Sequence, residues 1–172
     1  RHNNKADVSL EFIDFYEEGG AKDLKYLVFD SKFTTYQNLR KLDDDHGVKF
    51  LTIRMRGKQV VDHLNSIPQS ERKKIRVPAA NGKNTLLYAI DEVVTLKDYG
   101  KEIRQVAISG HGRIKPAIII TNDFELPLED IVRKYARRWL IEKTISQQIE
   151  FFHFNRVSSS MVIKVDFDLT MS

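Results

Sequence analysis

The spacing of apolar positions changes period several times along the chain, and each change predicts an element. In residues 8–18, VSLEFIDFYEE, apolar side chains fall at 8, 12, 13 and 16. That is the three-and-four spacing of a short helix, with Gly19 and Gly20 as its stop. LKYLVFD, residues 24–30, is instead a continuous apolar run ending on Asp30, the pattern of a central strand covered on both faces. TTYQNLRKL returns to helical spacing behind Thr34 or Thr35 as N-cap, and DDDHG reads as a turn into a second strand, VKFLTIRM. Together these form a strand–helix–strand unit, expected to be parallel with a right-handed crossover.

The texture then changes. QVVDHLNSI predicts a short helix ended by Pro68, and QSERKK a charged loop. KIRVPA, TLLYAIDEVVTL, IRQVAISGHG and PAIIITND follow, separated by turn-rich tetrads and pentads. Their β-branched content and spacing predict an antiparallel β-rich segment over residues 74–123. PLED opens a long helix, with Pro127 in the first turn and two acids favoured near the N-terminus, expected to run to residue 154. MVIKVDFDL closes the chain as an alternating strand, with Met161, Ile163, Val165, Phe167 and Leu169 on one face.

Composition narrows the class without naming it. The 172 residues are 41% hydrophobic and 30% charged, a folded balance for one domain or one domain with a sizeable insertion. No apolar run approaches the ~20 residues of a membrane span, and no basic-then-apolar leader is present. With no cysteine there is no disulfide framework and no thiolate metal site, which fits a cytoplasmic protein. A net charge of +4 and a pI near 9.2 favour an anionic partner. The chain begins at Arg1 without an initiator methionine and ends just after a strand-like run, so a fragment of a longer protein is expected.

Candidate chemistry concentrates in RKYARRWLIEKTIS, residues 133–146. Helical spacing puts Tyr135, Arg138 and Glu142 on one face within about two turns. A guanidinium there can bind phosphate bidentately, an aromatic ring can stack beside a nucleotide, and a carboxylate can hold a hard cation. The plainer reading of the same stripe is an amphipathic helix with an Arg138–Glu142 ion pair and Trp139 as a core anchor. Asp30, at the carboxyl end of a strand, sits where open α/β sheets present ligands, or else it caps the following helix. If Asp30 and Glu142 meet, two carboxylates suit a pair of divalent ions acting on phosphodiesters. Asp43, Asp44 and Asp45 read as a solvated turn, and His111 in SGHGR is one histidine, which does not make a zinc site. Asp166 and Asp168 share the wet face of the last strand, and Ser158–Ser160 lack a nucleophile elbow. No Walker or G-x-G-x-x-G loop is present.

YLVFDSKFTTYQNL…GVKFLTIRMRG, PAIIITND and IVRKYARRWLIEKTISQQIEFFHFNRVSSSMVIKVDFDL, in that order, resemble the DDE transposases of bacterial insertion sequences. The sharpest element is the tyrosine–two–arginine–three–glutamate signature at Tyr135, Arg138 and Glu142. The resemblance implies an α/β fold: a partial RNase H-like core lacking its first strands, a β-rich insertion and a long C-terminal catalytic helix. Residues 1–45 and 122–172 would belong to the core and 46–121 to the insertion. It implies that Asp30 and Glu142 are the second and third catalytic acids and ligate two Mg2+ or Mn2+ ions. Tyr135 and Arg138, with Arg137 and Lys143 beside them, would contact DNA phosphates. The partner would be double-stranded DNA, both transposon ends and target, bound by a homodimer, with no membrane. The pattern departs at Ile149, where the family often has lysine, and Lys143 or Arg156 is not at that spacing. No residue in 1–23 matches the first acid, since Asp7, Asp14 and Asp23 lie in or beside a helix. That acid is expected upstream, and this chain by itself is expected to be inactive. The alternatives are a non-catalytic DNA-binding module from a decayed or host-adopted transposase, and another RNase H-like nuclease.

Overall fold

The computed structural model describes residues 8–20, 24–29, 35–78, 84–110 and 116–138. The chain divides into two compact units, Arg1–Tyr135 and Ala136–Ser172, and the second lies almost wholly outside the described residues. The first is a mixed α/β unit. Its elements run α1 (Val8–Glu18), β1 (Tyr26–Val28), α2 (Tyr36–His46), β2 (Lys49–Ile53), α3 (Lys58–Ser66), a 3-10 turn (Gln69–Glu71), β3 (Lys73–Pro78), β4 (Asn84–Thr95), β5 (Glu102–Ser109) and β6 (Ala117–Thr121). A further helix, α4, occupies residues 128–138.

Among the described residues the strands form one six-stranded sheet, in the order β1-β2-β6-β5-β4-β3. β1 and β2 are parallel, joined by α2 as the strand–helix–strand pattern predicted. β2 meets β6 antiparallel, and β6, β5, β4 and β3 continue as an antiparallel meander. β5 and β6 sit centrally and are buried on both faces, because alternate residues feed different clusters. Val106, Ile108 and Ile119 join Leu51, Ile75, Val77, Leu87 and Ala89 under Leu128, Ile131 and Val132 of α4. Ile103 and Ile120 join Phe50, Leu39, Leu42 and Tyr99 beneath α1 and α2. Ala107 and Ile118 lie under Leu64 of α3. Each fully buried Ile or Leu contributes about 1.5–3 kcal/mol, so the helices on both faces are held mainly by these three clusters.

Local chemistry sets the ends of α2. Thr35 accepts a hydrogen bond from the Asn38 amide at 3.2 Å, one of the two N-caps the sequence offered. Gly47 closes the helix at φ 63°, a left-handed conformation that glycine adopts without a Cβ penalty. At α4, the Pro127 carbonyl accepts from the Asp130 and Ile131 amides, so proline stands at the cap rather than inside the first turn.

Two expectations are corrected. Asp43, Asp44 and Asp45 are not a solvated turn but the last turn of α2, and Asp43 is half-buried in a hydrogen-bond network. A run of three acids before His-Gly looked like solvent-facing punctuation, yet its partners lie 56 and 79 residues away in sequence. β1 is not a doubly covered central strand. Among the described residues it pairs only with β2, and Val28 is 37% exposed. Its apolar run is continuous because Leu24, Leu27 and Phe29 face the α1–α2 cluster while Tyr26 touches the α4 cluster. QSERKK is also more than a loop, since Arg72 in it donates to the Ile67 and Leu64 carbonyls and to Ser109.

Candidate nucleic-acid interface and active-site edge

The register decides which strand ends share an edge. β1 and β2 run the same way, so their carboxyl ends lie together. Ile53 stands opposite Ile119, Ile119 opposite Val106, Val106 opposite Asp91, and Ala89 opposite Lys73. The carboxyl ends of β3 and β5 and the amino ends of β4 and β6 therefore meet the same edge. The Phe29 amide donates to the Leu51 carbonyl at 2.8 Å, which extends the parallel pairing to the residue before Asp30. The other five strands thus end or begin on the same side of the sheet as the carboxyl end of β1, with β2 next to it and β3 at the far margin, five places away.

This side of the sheet is basic. Arg56 and Lys58 follow β2, Lys74 and Arg76 lie on β3, and all four are exposed with no ion pair among the described residues. Arg54, also after β2, is engaged by the Gln105 side chain, and Met55 beside it is 74% exposed. A groove of about 260 Å³ opens between Thr35, Tyr36, Thr52, Met55 and Asp98. The groove's own lining carries an acid, Asp98, and no cation, so any hold on a phosphate backbone falls to the exposed cations that follow β2 and lie on β3.

The opposite edge is tied down instead. There Asn122, at the end of β6, accepts from the Phe50 amide at 2.9 Å and donates to the Val48 carbonyl at 3.1 Å and the Asp43 carboxylate at 2.7 Å. Tyr99 donates its hydroxyl to Asp43 at 2.8 Å, and Lys101 pairs with Asp43 and Asp44. Burial alone would raise the Asp43 pKa, but the hydrogen bonds from Asn122, Tyr99 and Lys101 outweigh it and hold the carboxyl below its ordinary value. Burial, with the Asp43 carboxylate beside it, pushes the Tyr99 hydroxyl well up. This network joins α2, β2, β6 and the β4–β5 connection.

A second network holds the connection between β6 and α4. Arg104, on β5, grips Asp91 on β4 through Nε at 2.9 Å and Nη2 at 3.0 Å. Its Nη1 donates to the carbonyls of Asp123, Phe124 and Leu126 at 3.4, 3.1 and 2.6 Å. Asp123 accepts from the Glu125 and Leu126 amides and from the Tyr26 hydroxyl at 3.3 Å. The Arg104 guanidinium holds the Asp91 carboxyl below its ordinary value, against the opposing effect of burial. Burial pushes the Tyr26 hydroxyl up to about 12, and Lys134 on α4 lies 5.1 Å from the centre of its ring, within cation–π reach.

The residues singled out from sequence divide in two. Asp30, Glu142 and Lys143, with Trp139, Ile149, His111, Ser158–Ser160 and the final strand, lie outside the described residues. Tyr135 is half-buried and packs against the sheet cluster under α4, Arg137 is exposed and Arg138 is half-buried. Among the described residues no three acids or histidines cluster as a cation site would need. Asp30 and Glu142 are hard oxygen donors, the right chemistry for magnesium or manganese. Sequence reasoning missed Arg104, Asp91, Tyr26 and Asn122. The one signal for them was alternation: Arg104 and Asp91 interrupt strands that are otherwise apolar on that face.

The model of the family described as transposase DDE domain matches residues 5–172. No curated protein matches the chain. No helix among the described residues is long and apolar enough to cross a membrane.

Proposed function

This chain belongs to the transposase DDE domain family, and on that premise we propose that it is the catalytic part of an enzyme that cuts DNA at transposon ends and joins the freed 3′ end to target DNA. The observation that supports the reading is the register: β1, which Asp30 follows in sequence, ends on the same side of the sheet as β2, which exposed Arg56 and Lys58 follow, and β3, with exposed Lys74 and Arg76, runs towards that side at the far margin. In this reading residues 1–45 and 122–172 form an RNase H-like core and 46–121 an insertion that helps to hold the DNA.

Asp30 and Glu142 would hold the divalent ions, Mg2+ or Mn2+. Bound there, such ions stabilise charge on the attacking and leaving oxygens of an in-line displacement. The chain's own residues do the rest. Tyr135, Arg137, Arg138 and Lys143 take phosphates of the transposon end, and the guanidinium of Arg138 gives directional, paired hydrogen bonds that a lysine would not. The unpaired cations of the edge hold the flanking duplex. Exclusion of bulk water by the bound DNA strengthens each of these contacts. Two copies bridging two DNA ends would complete the assembly.

The test uses the protein encoded by the complete reading frame and a supercoiled plasmid carrying the native element, in Mg2+ or Mn2+. Wild-type protein nicks the plasmid, whereas Asp30→Asn and Glu142→Gln bind duplex DNA but lose nicking by at least about 1000-fold, the scale of a lost electrostatic contact in phosphoryl transfer. Nicking retained in both variants overturns the assignment. Duplex binding by a wild-type protein that never nicks would describe a DNA-binding module instead.

A further inference from the structure

Arg104 makes more contacts than its place in a sheet requires. It lies on the sheet face that α4 covers, the same side as Val106 and Ile108, with its side chain only 11% exposed. Both arms of its guanidinium are committed. One side grips Asp91, and Nη1 gathers three carbonyls of the Asp123–Leu126 connection. The remaining polar groups of that connection are also used: Asp123 takes the Glu125 and Leu126 amides and the Tyr26 hydroxyl. Three elements far apart in sequence, β1, the β4–β5 hairpin and the start of α4, are thereby tied at one point.

A buried ion pair is weak support for stability, since well-packed apolar residues of similar volume hold a fold as well or better. What a guanidinium supplies and apolar packing lacks is direction: planar donors at fixed angles. We propose that Arg104, with Asp91 as its counter-ion, is a positioning residue that fixes the β6–α4 connection and so places the face of α4 bearing Tyr135. Tyr135 follows Leu128 by seven residues on that helix, about 10 Å along its axis, and packs on the same cluster. A shift of about 1 Å in a positioned group costs on the order of 100-fold in rate. The β-meander then does more than cover DNA, because it sets where a phosphate-contacting helix begins. The consequence for the reaction rests on the transposase reading above; the hold on the connection does not.

Two variants separate these. Arg104→Lys keeps the charge beside Asp91 but cannot reach three carbonyls, and Arg104→Met/Asp91→Leu replaces the pair by apolar volume. Expected in both are amide exchange at Glu125, Leu126, Asp130 and Ile131 faster by about tenfold or more, plasmid nicking slower by at least about tenfold, and a duplex Kd within about threefold of wild type. Nicking is read under conditions in which urea unfolding shows both variants fully folded, so lost nicking would not be instability. Unchanged exchange in Arg104→Lys overturns the proposal, and so does faster exchange with wild-type nicking. If wild-type protein never nicks, the transposase reading fails, and the exchange rates alone decide whether Arg104 holds the connection.

Discussion

Asn122→Ala should be among the most damaging single substitutions at the strand ends opposite the side where β1 and β2 finish. The side chain satisfies a buried donor, the Phe50 amide, and a buried acceptor, the Val48 carbonyl, in residues that are 0% and 3% exposed. Alanine leaves both without a partner, and an unsatisfied buried backbone group costs about 1–3 kcal/mol. The hydrogen bond to Asp43 is also lost, but Asp43 is partly exposed and keeps Tyr99 and Lys101, so that loss adds little. A total of about 3–5 kcal/mol follows, a large part of the 5–15 kcal/mol by which domains are typically stable. Urea unfolding followed by far-ultraviolet circular dichroism reads this as a fall in midpoint with an unchanged slope. Asn122→Asp sharpens the test. Its carboxylate can still accept from Phe50, but it would face the Asp43 carboxylate across a 2.7 Å gap that the amide now bridges. At pH 7 it should be at least as destabilised as the alanine variant, and it should recover below about pH 4, when the two carboxyls share a proton. A loss below about 1 kcal/mol for alanine, or wild-type stability for aspartate at pH 7, would refute the reasoning.

Thr35→Ala removes the α2 cap and Gly47→Ala strains its left-handed end; each should cost about 1 kcal/mol in urea midpoint measurements. Asp91 has a folded pKa held below its ordinary value by Arg104, so its contribution is present above the unfolded value near 3.8 and lost as pH falls through the folded one. Asp91→Asn should therefore flatten stability against pH in that acidic window relative to wild type, as read by thermal unfolding at several pH values. Tyr26, pushed up to about 12, contributes stability below pH 10 that disappears as pH rises through about 12, and its phenolate absorbance should appear after those of exposed tyrosines. Replacing Arg56, Lys58, Lys74 and Arg76 together by glutamine should reduce the slope of log K against log salt for a duplex by up to about 3–4, while Lys41→Gln on the exposed face of α2 leaves it unchanged; equal slopes would remove these four cations from the DNA path.

Much of the fold was legible because it depends on local pattern. Helical spacing in α1 and α3, the threonine cap and the β-branched runs of β3 to β6 all emerge within three residues of where the sequence puts them, while α2 runs four residues past Leu42 to His46. Where pattern misled, the cause was long-range. The acids of the α2 terminus cannot announce partners at Tyr99, Lys101 and Asn122, because hydrogen-bond partners 56 to 79 residues away leave no periodic trace. Continuous apolarity in β1 likewise cannot distinguish a strand covered on both faces from an edge strand whose side chains serve two different clusters.

The candidate site divides along the same line. The spacing of Tyr135, Arg138 and Glu142 is a property of one helix, and a strand ending in an acid is a property of one strand, so sequence alone could propose them. Sequence alone also determined the class, a basic folded domain with no cysteine chemistry. Which strand ends share an edge is different in kind: it depends on strand order and register, which are decided by packing between segments far apart in the chain. Only the tertiary structure showed that β3, at the far margin, runs towards the same side of the sheet as β1 and β2, and only it closed Arg104 on the connection that begins α4. Both follow from a sheet whose hydrogen bonds fix direction residue by residue, while the sequence fixes only which faces must be buried.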